Sequence, residues 1–247
     1  MDRVALTDAV KRLAKEKGAA LVGIAPVERF DPLPPVWDAP PKGQHPRDFV
    51  PEARSVIVFA MPILPAVLDA PAVLAESAQD LVPAEASRPY HDTVYNRVGH
   101  VLHDHHLEVI GQMLGQFLLA QGFDAMVFPA TGGHPAFRNR TEGEGWGASP
   151  FGYTAGPFSH RHAATRAGLG EFGYNNVVLT PEFGPRQRFN SVVTDADLLP
   201  DPLIDRHICL RDACRLCLKA CILNAIALRT AASPGEYRFP PRADPAR

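Results

Sequence analysis

The amino-acid sequence predicts a fold that mixes α-helices with β-strands, and three observations carry that prediction. The 247 residues are 46% apolar and 21% charged, the usual balance of a folded globular protein. Apolar residues recur at helical spacing over residues 6–17 and 93–121. Short apolar runs typical of buried strands stand between and after these segments. A chain of this length can bury one sizeable core or two small ones.

The first half of the chain predicts two strands between two helices. The helix over residues 6–17 is expected to end at Gly18, and the run ALVGIAP then predicts the first strand. Residues 31–51 are rich in proline and predict a loop. The run SVIVFAMP predicts the second strand. The long helix from Thr93 to Gln121 is expected to bury one apolar stripe, which consists of Val98, Val101, Leu102, Val109, Met113 and Phe117.

The second half of the chain predicts shorter elements. The run DAMVFPA predicts a third strand, and the glycine-rich residues 131–158 predict a loop. SHRHAATRAG predicts a short helix, whereas NNVVLTP and RFNSVVTD predict two further strands. From about Ser233 the chain is polar and rich in proline, and it is expected to be an extended tail.

The charge of the chain argues against some partners. The formal net charge is −2 and the pI is about 6.5, so no global field attracts nucleic acid or an anionic membrane. Residues 1–18 are charged throughout and contain no apolar segment of the secretory type. The expected location is the cytoplasm, where thiols stay reduced and clustered cysteines indicate metal or redox chemistry.

All four cysteines lie in the run CLRDACRLCLKAC, residues 209–221, with the spacing C-x4-C-x2-C-x3-C. Cys214, Cys217 and Cys221 have the spacing of the last three cysteines of a bacterial ferredoxin run. The run departs from that pattern in two ways. Its first cysteine is Cys209 instead of a cysteine at position 211, and Ile222 stands where the pattern ends in proline.

Three interpretations of these thiols stay open. Iron–sulfur ligation is favoured, because four thiols this dense fit poorly elsewhere. Zinc also accepts four thiolates, although structural zinc sites usually split into two pairs further apart. The third interpretation is a set of inert buried thiols, since a free cysteine is often a small core residue. The spacing does not decide whether Cys209 or a remote group completes a cluster.

A glycine-rich pattern precedes the cysteines. GLGEFG spaces Gly168, Gly170 and Gly173 as G-x-G-x-x-G. A predicted helix precedes it and a predicted strand follows it, which is the reverse of a dinucleotide-binding site. These glycines are expected to let the backbone lie against a large planar ligand or against another segment of the chain.

A basic pattern stands just before the glycines. SHRHAATR puts His160, Arg161, His162 and Arg166 on one short predicted helix. The first interpretation is a solvated basic face. The second is a clamp for anionic groups of a cofactor, because arginine matches such groups geometrically. The basic runs RNR and PRQR could serve the same purpose.

The stretch AATRAGLGEFGYNNVVLTPEFGPRQRF, followed by TD and then by the cysteine run, resembles the cobalamin- and iron–sulfur-dependent family that includes epoxyqueuosine reductase and the reductive dehalogenases. KGAALVGIAP and ARSVIVFAMP are similar to the opening of that family, and YHDTVYNRV is similar to the start of its long helix. GEFG and PEFGPRQRF are closer to the dehalogenase branch. The resemblance extends over most of residues 15–230, with specific motifs in 163–189 and in the cysteine run.

The resemblance implies a nitroreductase-like α+β core that binds a corrinoid, followed by a ferredoxin-like iron–sulfur segment. Residues 1–204 would form the corrinoid-binding domain, 205–232 the cluster segment and 233–247 an extended tail. The implied cofactors are cobalamin and one four-iron four-sulfur cluster, which feeds electrons to the cobalt. The implied partners are a small-molecule substrate and a ferredoxin- or flavodoxin-like electron donor. The near-neutral charge, and not the resemblance, argues against nucleic acid, and no membrane partner is expected.

The resemblance also implies roles for individual residues. The cluster ligands would be Cys209, Cys214, Cys217 and Cys221. The residues expected to contact the corrinoid belong to the short helix and to the glycine-rich stretch, and they are His160, His162, Arg166, Gly168, Leu169, Gly170, Gly173, Asn175 and Asn176.

The chain departs from the family in its acids and in its number of clusters. Ala130 stands where the reductase has an acid, and Tyr174 stands where the family usually has a basic residue. Tyr174, Tyr153 and His160 are therefore the expected catalytic proton donors. Family members carry cysteines for two clusters, whereas this chain has enough for one.

These features together predict a corrinoid-dependent iron–sulfur oxidoreductase that carries out a reductive reaction on an unknown small substrate. Two alternatives stay open. The losses at Ala130 and at the basic position fit a non-catalytic cobalamin carrier or processing protein. A zinc-stabilised binding protein without a redox role is the other alternative.

Overall fold

The computed structural model describes residues 1–31, 45–77, 94–130 and 158–221. Its helices are α1 (Arg3–Glu16), α2 (Pro46–Phe49), α3 (Pro65–Ser77), α4 (His103–Ala120), α5 (His160–Arg166) and α6 (Leu216–Ala220). Its strands are β1 (Leu21–Pro26), β2 (Ser55–Pro62), β3 (Ala125–Val127), β4 (Glu171–Phe172), β5 (Val178–Leu179) and β6 (Gln187–Thr194). A π-helix, Tyr95–Leu102, leads into α4, and 3-10 turns cover Val27–Phe30 and Arg211–Ala213. The prediction of mixed helices and strands is confirmed.

Four of the strands form one antiparallel sheet in the order β1-β2-β6-β3. β2 pairs with β6 along its whole length, from Ser55 opposite Thr194 to Pro62 opposite Gln187. Residues 55–60 of β2 are all buried. A strand that is covered on both faces has no need to alternate, which explains the unbroken apolar run in the sequence. β4 and β5 form a separate two-stranded ladder.

The sheet is covered on both of its faces. On one face, a first core contains α5, the strands β4 and β5, and three residues of β2: Val56, Val58 and Ala60. Ile57 and Phe59 point to the opposite face and pack into a second core with α1 and α4. The basic helix and the glycines that follow it therefore lie on one side of the sheet, and the long helix lies on the other.

The buried face of α4 differs from the predicted stripe. The prediction is wrong for five of its six residues, which are exposed: Val98 (40%), Val101 (44%), Leu102 (63%), Val109 (53%) and Met113 (36%). Phe117 does pack against the second core. The buried face consists instead of Leu107, Ile110, Leu114 and Leu118. Both sets recur at helical spacing, so periodicity alone could not choose between them.

Two glycines identify the correct face of α4. A Cβ added at Gly111 would lie 2.8 Å from Val127 of β3, and one added at Gly115 would lie 3.0 Å from the same side chain. The helix approaches the sheet closely at these two positions because they carry no side chain. A pair of glycines four residues apart was thus the available sequence signal for the packed face.

Two substitutions test this correction. Ile110→Val should lower the free energy of unfolding by about 1 kcal/mol, since it removes one methylene from a closed core. Val109→Ala should change it by less than about 0.5 kcal/mol, because that side chain is half exposed. Urea unfolding measures both. Equal losses for the two variants would contradict the assigned face.

Other elements also differ from the sequence predictions. α2 lies within the stretch predicted as a loop, and that prediction is wrong for Pro46–Phe49, where His45 and Asp48 cap the helix reciprocally. Residues 32–44 of that stretch lie outside the described residues. α3 was not predicted, because prolines interrupt its sequence; the first of them, Pro65, occupies the first helical position, where no N–H is needed.

Within the described residues, no helix combines the length and apolar character needed to cross a membrane.

The segment that leads to the cysteines is fixed to the sheet by Asp201. Its carboxylate accepts hydrogen bonds from the backbone N–H of Ile24, at 2.8 Å, and from Lys11 Nζ, at 2.6 Å. Arg29 Nη1 donates to the carbonyl oxygens of Arg166 and Asp201, at 2.7 and 2.8 Å. One guanidinium thus ties the end of α5 to the segment that precedes the cysteines.

Candidate functional site

The glycine loop, residues 168–176, is packed against other parts of the chain. Gly168 has a φ of +71°, and a Cβ added there would lie 2.0 Å from the carbonyl oxygen of Pro202. A Cβ added at Gly170 would lie 2.3 Å from the carbonyl oxygen of Leu179. The side-chain directions of these two glycines are therefore filled by the chain itself. Leu169 between them packs against the first core.

The far end of the glycine loop is a tight turn with an open edge. Asn176 has a φ of +61°, and its N–H donates to the carbonyl of Gly173. The carbonyl of Asn176 accepts a hydrogen bond from Arg161 Nη1 at 2.7 Å. Asn175 and Asn176 are both exposed. This edge is the part of the loop that offers polar side chains to a ligand.

Helix α5 holds its basic residues in different environments. Ser159 caps the helix, and its Oγ lies 2.6 Å from Nδ1 of His162. His160 places Nε2 2.8 Å from the carbonyl oxygen of Pro129 and Nδ1 3.0 Å from Oγ of Ser191. The side chain of Arg166 is buried, with 1% of its surface exposed. Both histidines thus contact neighbouring protein groups, and the side chain of Arg166 is enclosed by the protein.

The two histidines are held neutral by their surroundings. Burial lowers the pKa of His160 to about 4. Burial, reinforced by the charges of Arg166 and Arg161, lowers the pKa of His162 to about 3. Both values lie below the ordinary histidine pKa of about 6.5. Each neutral imidazole therefore contributes stability that is fully present above about pH 6.5 and is lost as the pH falls toward the folded-state pKa.

The lowered pKa values of His160 and His162 predict that the folded chain loses stability as the pH falls. The free energy of unfolding should fall between pH 7.5 and pH 5, and His162→Asn should reduce that fall by on the order of 1 kcal/mol. Chemical denaturation at the two pH values measures it. His105→Asn is the matched control, because the side chain of His105 is 62% exposed. A fall that is unchanged in the His162 variant would contradict the buried, neutral assignment.

The two tyrosines proposed as proton donors differ in what the structure describes of them. The hydroxyl of Tyr174 hydrogen-bonds to the carboxylate of Asp212, between the first two cysteines. Desolvation, followed by this carboxylate, raises the pKa of Tyr174. Tyr153 lies outside the described residues. At Ala130, where the resemblance expected an acid, the backbone N–H donates to Oε1 of Glu108 on α4, at 3.1 Å.

The four cysteines are free thiols and partly buried. The backbone turns sharply between them, because Arg211 and Arg215 have φ values of +49° and +55°. Such left-handed conformations cost on the order of 1 kcal/mol each in residues other than glycine. Partial exposure and a strained backbone are unlike inert core thiols, and they are common at binding sites.

The donor set fits two kinds of metal centre. Four thiols within residues 209–221 suit an iron–sulfur cluster or a zinc ion. Among the described side chains, no three cysteine, histidine, aspartate or glutamate residues stand together as a metal-binding group. The fit therefore rests on the chemistry of the donors and on the turns of the backbone between them.

Sequence reasoning missed the carboxylate that joins the two halves of this region. Oε1 of Glu171 in the glycine loop accepts hydrogen bonds from the backbone N–H groups of Ile208 and Cys209, at 2.5 and 2.6 Å. Its Oε2 lies 3.1 Å from Nδ1 of His207. The glutamate stands 37 positions before Ile208 in the chain. No local pattern could have predicted the contact.

Curated proteins similar to this chain are reductive dehalogenases. The tetrachloroethene reductive dehalogenase of Desulfitobacterium hafniense is 46% identical over 67 residues, which is 26% of this chain and 12% of that protein. The enzyme of the same name from Sulfurospirillum multivorans is 38% identical over 64 residues, 26% of this chain and 13% of that protein. The chain thus matches only a small part of these relatives. No family profile matches the chain.

Solved structures with a similar fold belong to both branches of the family that the sequence resembles. An epoxyqueuosine reductase bound to a modified tRNA stem loop has a TM-score of 0.53 at 17% identity, covering 90% of this chain and 53% of that one. A catabolic reductive dehalogenase has a TM-score of 0.54 at 19% identity, covering 90% of this chain and 26% of that one. The resemblance stated from the sequence is confirmed, and the mixed helix-and-sheet fold is similar to theirs.

Proposed function

We propose that this chain is a corrinoid-dependent iron–sulfur oxidoreductase that carries out a reductive reaction on a small molecule. The proposal is supported by the fold, which is similar to those of epoxyqueuosine reductase and reductive dehalogenase structures. It is supported also by the partial sequence match to reductive dehalogenases. Related proteins of both kinds use cobalamin and iron–sulfur clusters.

The single observation that carries the proposal is the contact between the glycine loop and the cysteines. Glu171 brings the backbone of Ile208 and Cys209 against the loop, and Tyr174 adds a second contact through Asp212. In an electron-transfer protein, the cluster and its redox partner must lie close together. This region would place a cluster beside whatever binds at the open edge of the loop.

Each cofactor would use a different part of this region. Cys209, Cys214, Cys217 and Cys221 would hold one cluster, which supplies single electrons at low potential. The corrinoid, which supplies the reducing metal centre when bound, would lie along the glycine loop. Asn175 and Asn176 would bind its polar periphery, because their amides are exposed there. Residues 1–204 would then be the corrinoid-binding domain, 205–232 the cluster segment and 233–247 the tail.

The proton for the reaction would come from a residue near the loop. Tyr174 is the best described donor, because it is partly exposed at the junction of the loop and the cysteine run. His160 is a weaker one, since both of its ring nitrogens contact protein groups and its pKa is about 4. Tyr153 stays a candidate from the sequence. A ferredoxin- or flavodoxin-like protein would supply the electrons.

An RNA substrate has to be tested beside small molecules. The net charge of −2 gave the expectation that nucleic acid is not a partner. That expectation loses its support, because one structure of similar fold is an epoxyqueuosine reductase holding a tRNA stem loop. We retain a small molecule as the proposed substrate because the curated relatives are tetrachloroethene reductive dehalogenases.

The test is turnover by the anaerobically reconstituted chain with titanium(III) citrate as the reductant. For tetrachloroethene, one carbon–chlorine bond breaks and one carbon–hydrogen bond forms, with two electrons and one proton consumed and one chloride released. Chloride release that requires both cofactors supports the proposal. Conversion of an epoxyqueuosine-containing stem loop, with no chloride release, would reassign the substrate to RNA.

A cobalamin carrier is the second candidate, and two observations favour it. Ala130 stands where the family has an acid, and Tyr174 stands where the family usually has a basic residue. A chain that binds cobalamin tightly, releases it to a second protein and reduces neither substrate would support the carrier. A chain that holds zinc and no cobalamin would exclude both candidates.

A further inference from the structure

Glu171 has a largely buried carboxylate, and its described hydrogen bonds reach Cys209 and the two residues before it. It opens β4, and its side chain is 15% exposed. One oxygen accepts the N–H groups of Ile208 and Cys209, and the other faces the ring of His207. The segment 205–210 belongs to no helix or strand, so its N–H groups have no partners within a regular element. Glu171 satisfies two of them.

A carboxylate is well suited to this task. Hydrogen bonds to an ionised acceptor are about twice as strong as neutral ones. One carboxylate can also accept two successive backbone N–H groups, which fixes both the position and the direction of the segment. His207 is 52% exposed, so its contact with the second oxygen is the weaker of the attachments.

Glu171 itself is held firmly. The next residue, Phe172, is buried in the first core and pairs with Val178, while Glu171 pairs with Leu179. On its other side, Gly170 packs directly against the carbonyl of Leu179. The carboxylate is therefore carried by a rigid ladder that is continuous with the core. Its position is transmitted to the cysteine run through the hydrogen bonds from Ile208 and Cys209.

We propose that Glu171 is a positioning residue for the cluster-binding segment and that its charge lowers the reduction potential of the cluster. This rests on the proposed function, in that Cys209 is a cluster ligand. N–H groups directed at sulfur raise the potential of a cluster, and those of Ile208 and Cys209 are directed at Glu171 instead. A nearby negative charge also disfavours the added electron.

The experiment compares Glu171→Gln, Glu171→Ala and the control Glu182→Gln, whose side chain is exposed on the turn before β6. The first readout needs no cluster: amide hydrogen exchange of the 205–212 peptides in the reduced, metal-free full chain. Glu171→Ala should accelerate exchange at Ile208 and Cys209 by about tenfold or more, since charge-assisted bonds are lost. Glu171→Gln should have an intermediate effect, and the control should have none.

The second readout is the midpoint potential of the reconstituted cluster, which is obtained from the change in its absorption spectrum during a redox titration. Glu171→Gln keeps an acceptor oxygen and removes the charge, so the potential should become more positive than in the wild type and in the control. Wild-type exchange and wild-type potential in both Glu171 variants would overturn the proposal. A wild-type chain that takes up no iron would contradict the proposed function. The positioning role has its own test in the metal-free chain, where an unchanged exchange rate in Glu171→Ala would overturn it.

Discussion

Replacing Cys217 by serine is expected to remove the iron–sulfur cluster from the chain. Cys217 stands in the first turn of α6, two residues after Arg215, whose φ is +55°. A serine hydroxyl is a poor ligand for iron compared with a thiolate. The iron content of the anaerobically reconstituted chain should fall from about four atoms per chain to near zero. Iron analysis and the loss of the thiolate-to-iron absorption band measure this.

The same substitution at Cys209 decides a question that the spacing leaves open. If Cys209 is a ligand, Cys209→Ser should lose iron as completely as Cys217→Ser. Ala220→Ser is the matched control, because it adds a hydroxyl at an exposed position of the same helix. Full iron content in both cysteine variants would contradict the assignment of the run as a cluster site.

Replacing Gly168 by alanine is expected to destabilise the whole domain, by about 3 kcal/mol or more. The new Cβ would stand 2.0 Å from the carbonyl oxygen of Pro202, and neither backbone can move freely. Pro202 follows Asp201, which is bonded to β1 and to Lys11. The φ of +71° adds the usual cost of a left-handed alanine. Urea unfolding of the chain without cofactors measures the loss.

Gly184→Ala separates the cost of the left-handed backbone from the cost of the close contact with Pro202. Gly184 has a φ of +58°, but nothing lies within 4 Å of a Cβ added there. Its substitution should cost only about 1 kcal/mol, the price of the backbone conformation alone. Equal losses at Gly168 and Gly184 would mean that the close approach to Pro202 does not contribute, which would contradict the packing described for the glycine loop.

The elements that could be predicted from the sequence are those whose patterns have one interpretation. β2 is a continuous apolar run, and its bounds agree with the predicted run. α1 is defined by Gly18 at its end, and α5 by the serine that caps it. The buried face of α4 could not be predicted from periodicity, because two apolar stripes run along the same helix.

The candidate site was predictable in its chemistry but not in its connections. The cysteines and the glycines are visible as local patterns. The attachments of Glu171 to Ile208 and of Arg29 to the carbonyl of Arg166 join residues 37 and 137 positions apart. Only the fold brings such groups together. That is also why the contacts of Glu171 could not be predicted, although the motif GEFG that contains it is visible in the sequence.

The measurement that tests the central claim most directly is the metal content of the full chain after anaerobic reconstitution with iron, sulfide and cobalamin and removal of unbound cofactors. The chain is expected to hold about four iron and four sulfide. It is also expected to hold one cobalt that stays bound through gel filtration. One zinc per chain without iron, or a complete cluster that retains no cobalt, would contradict it.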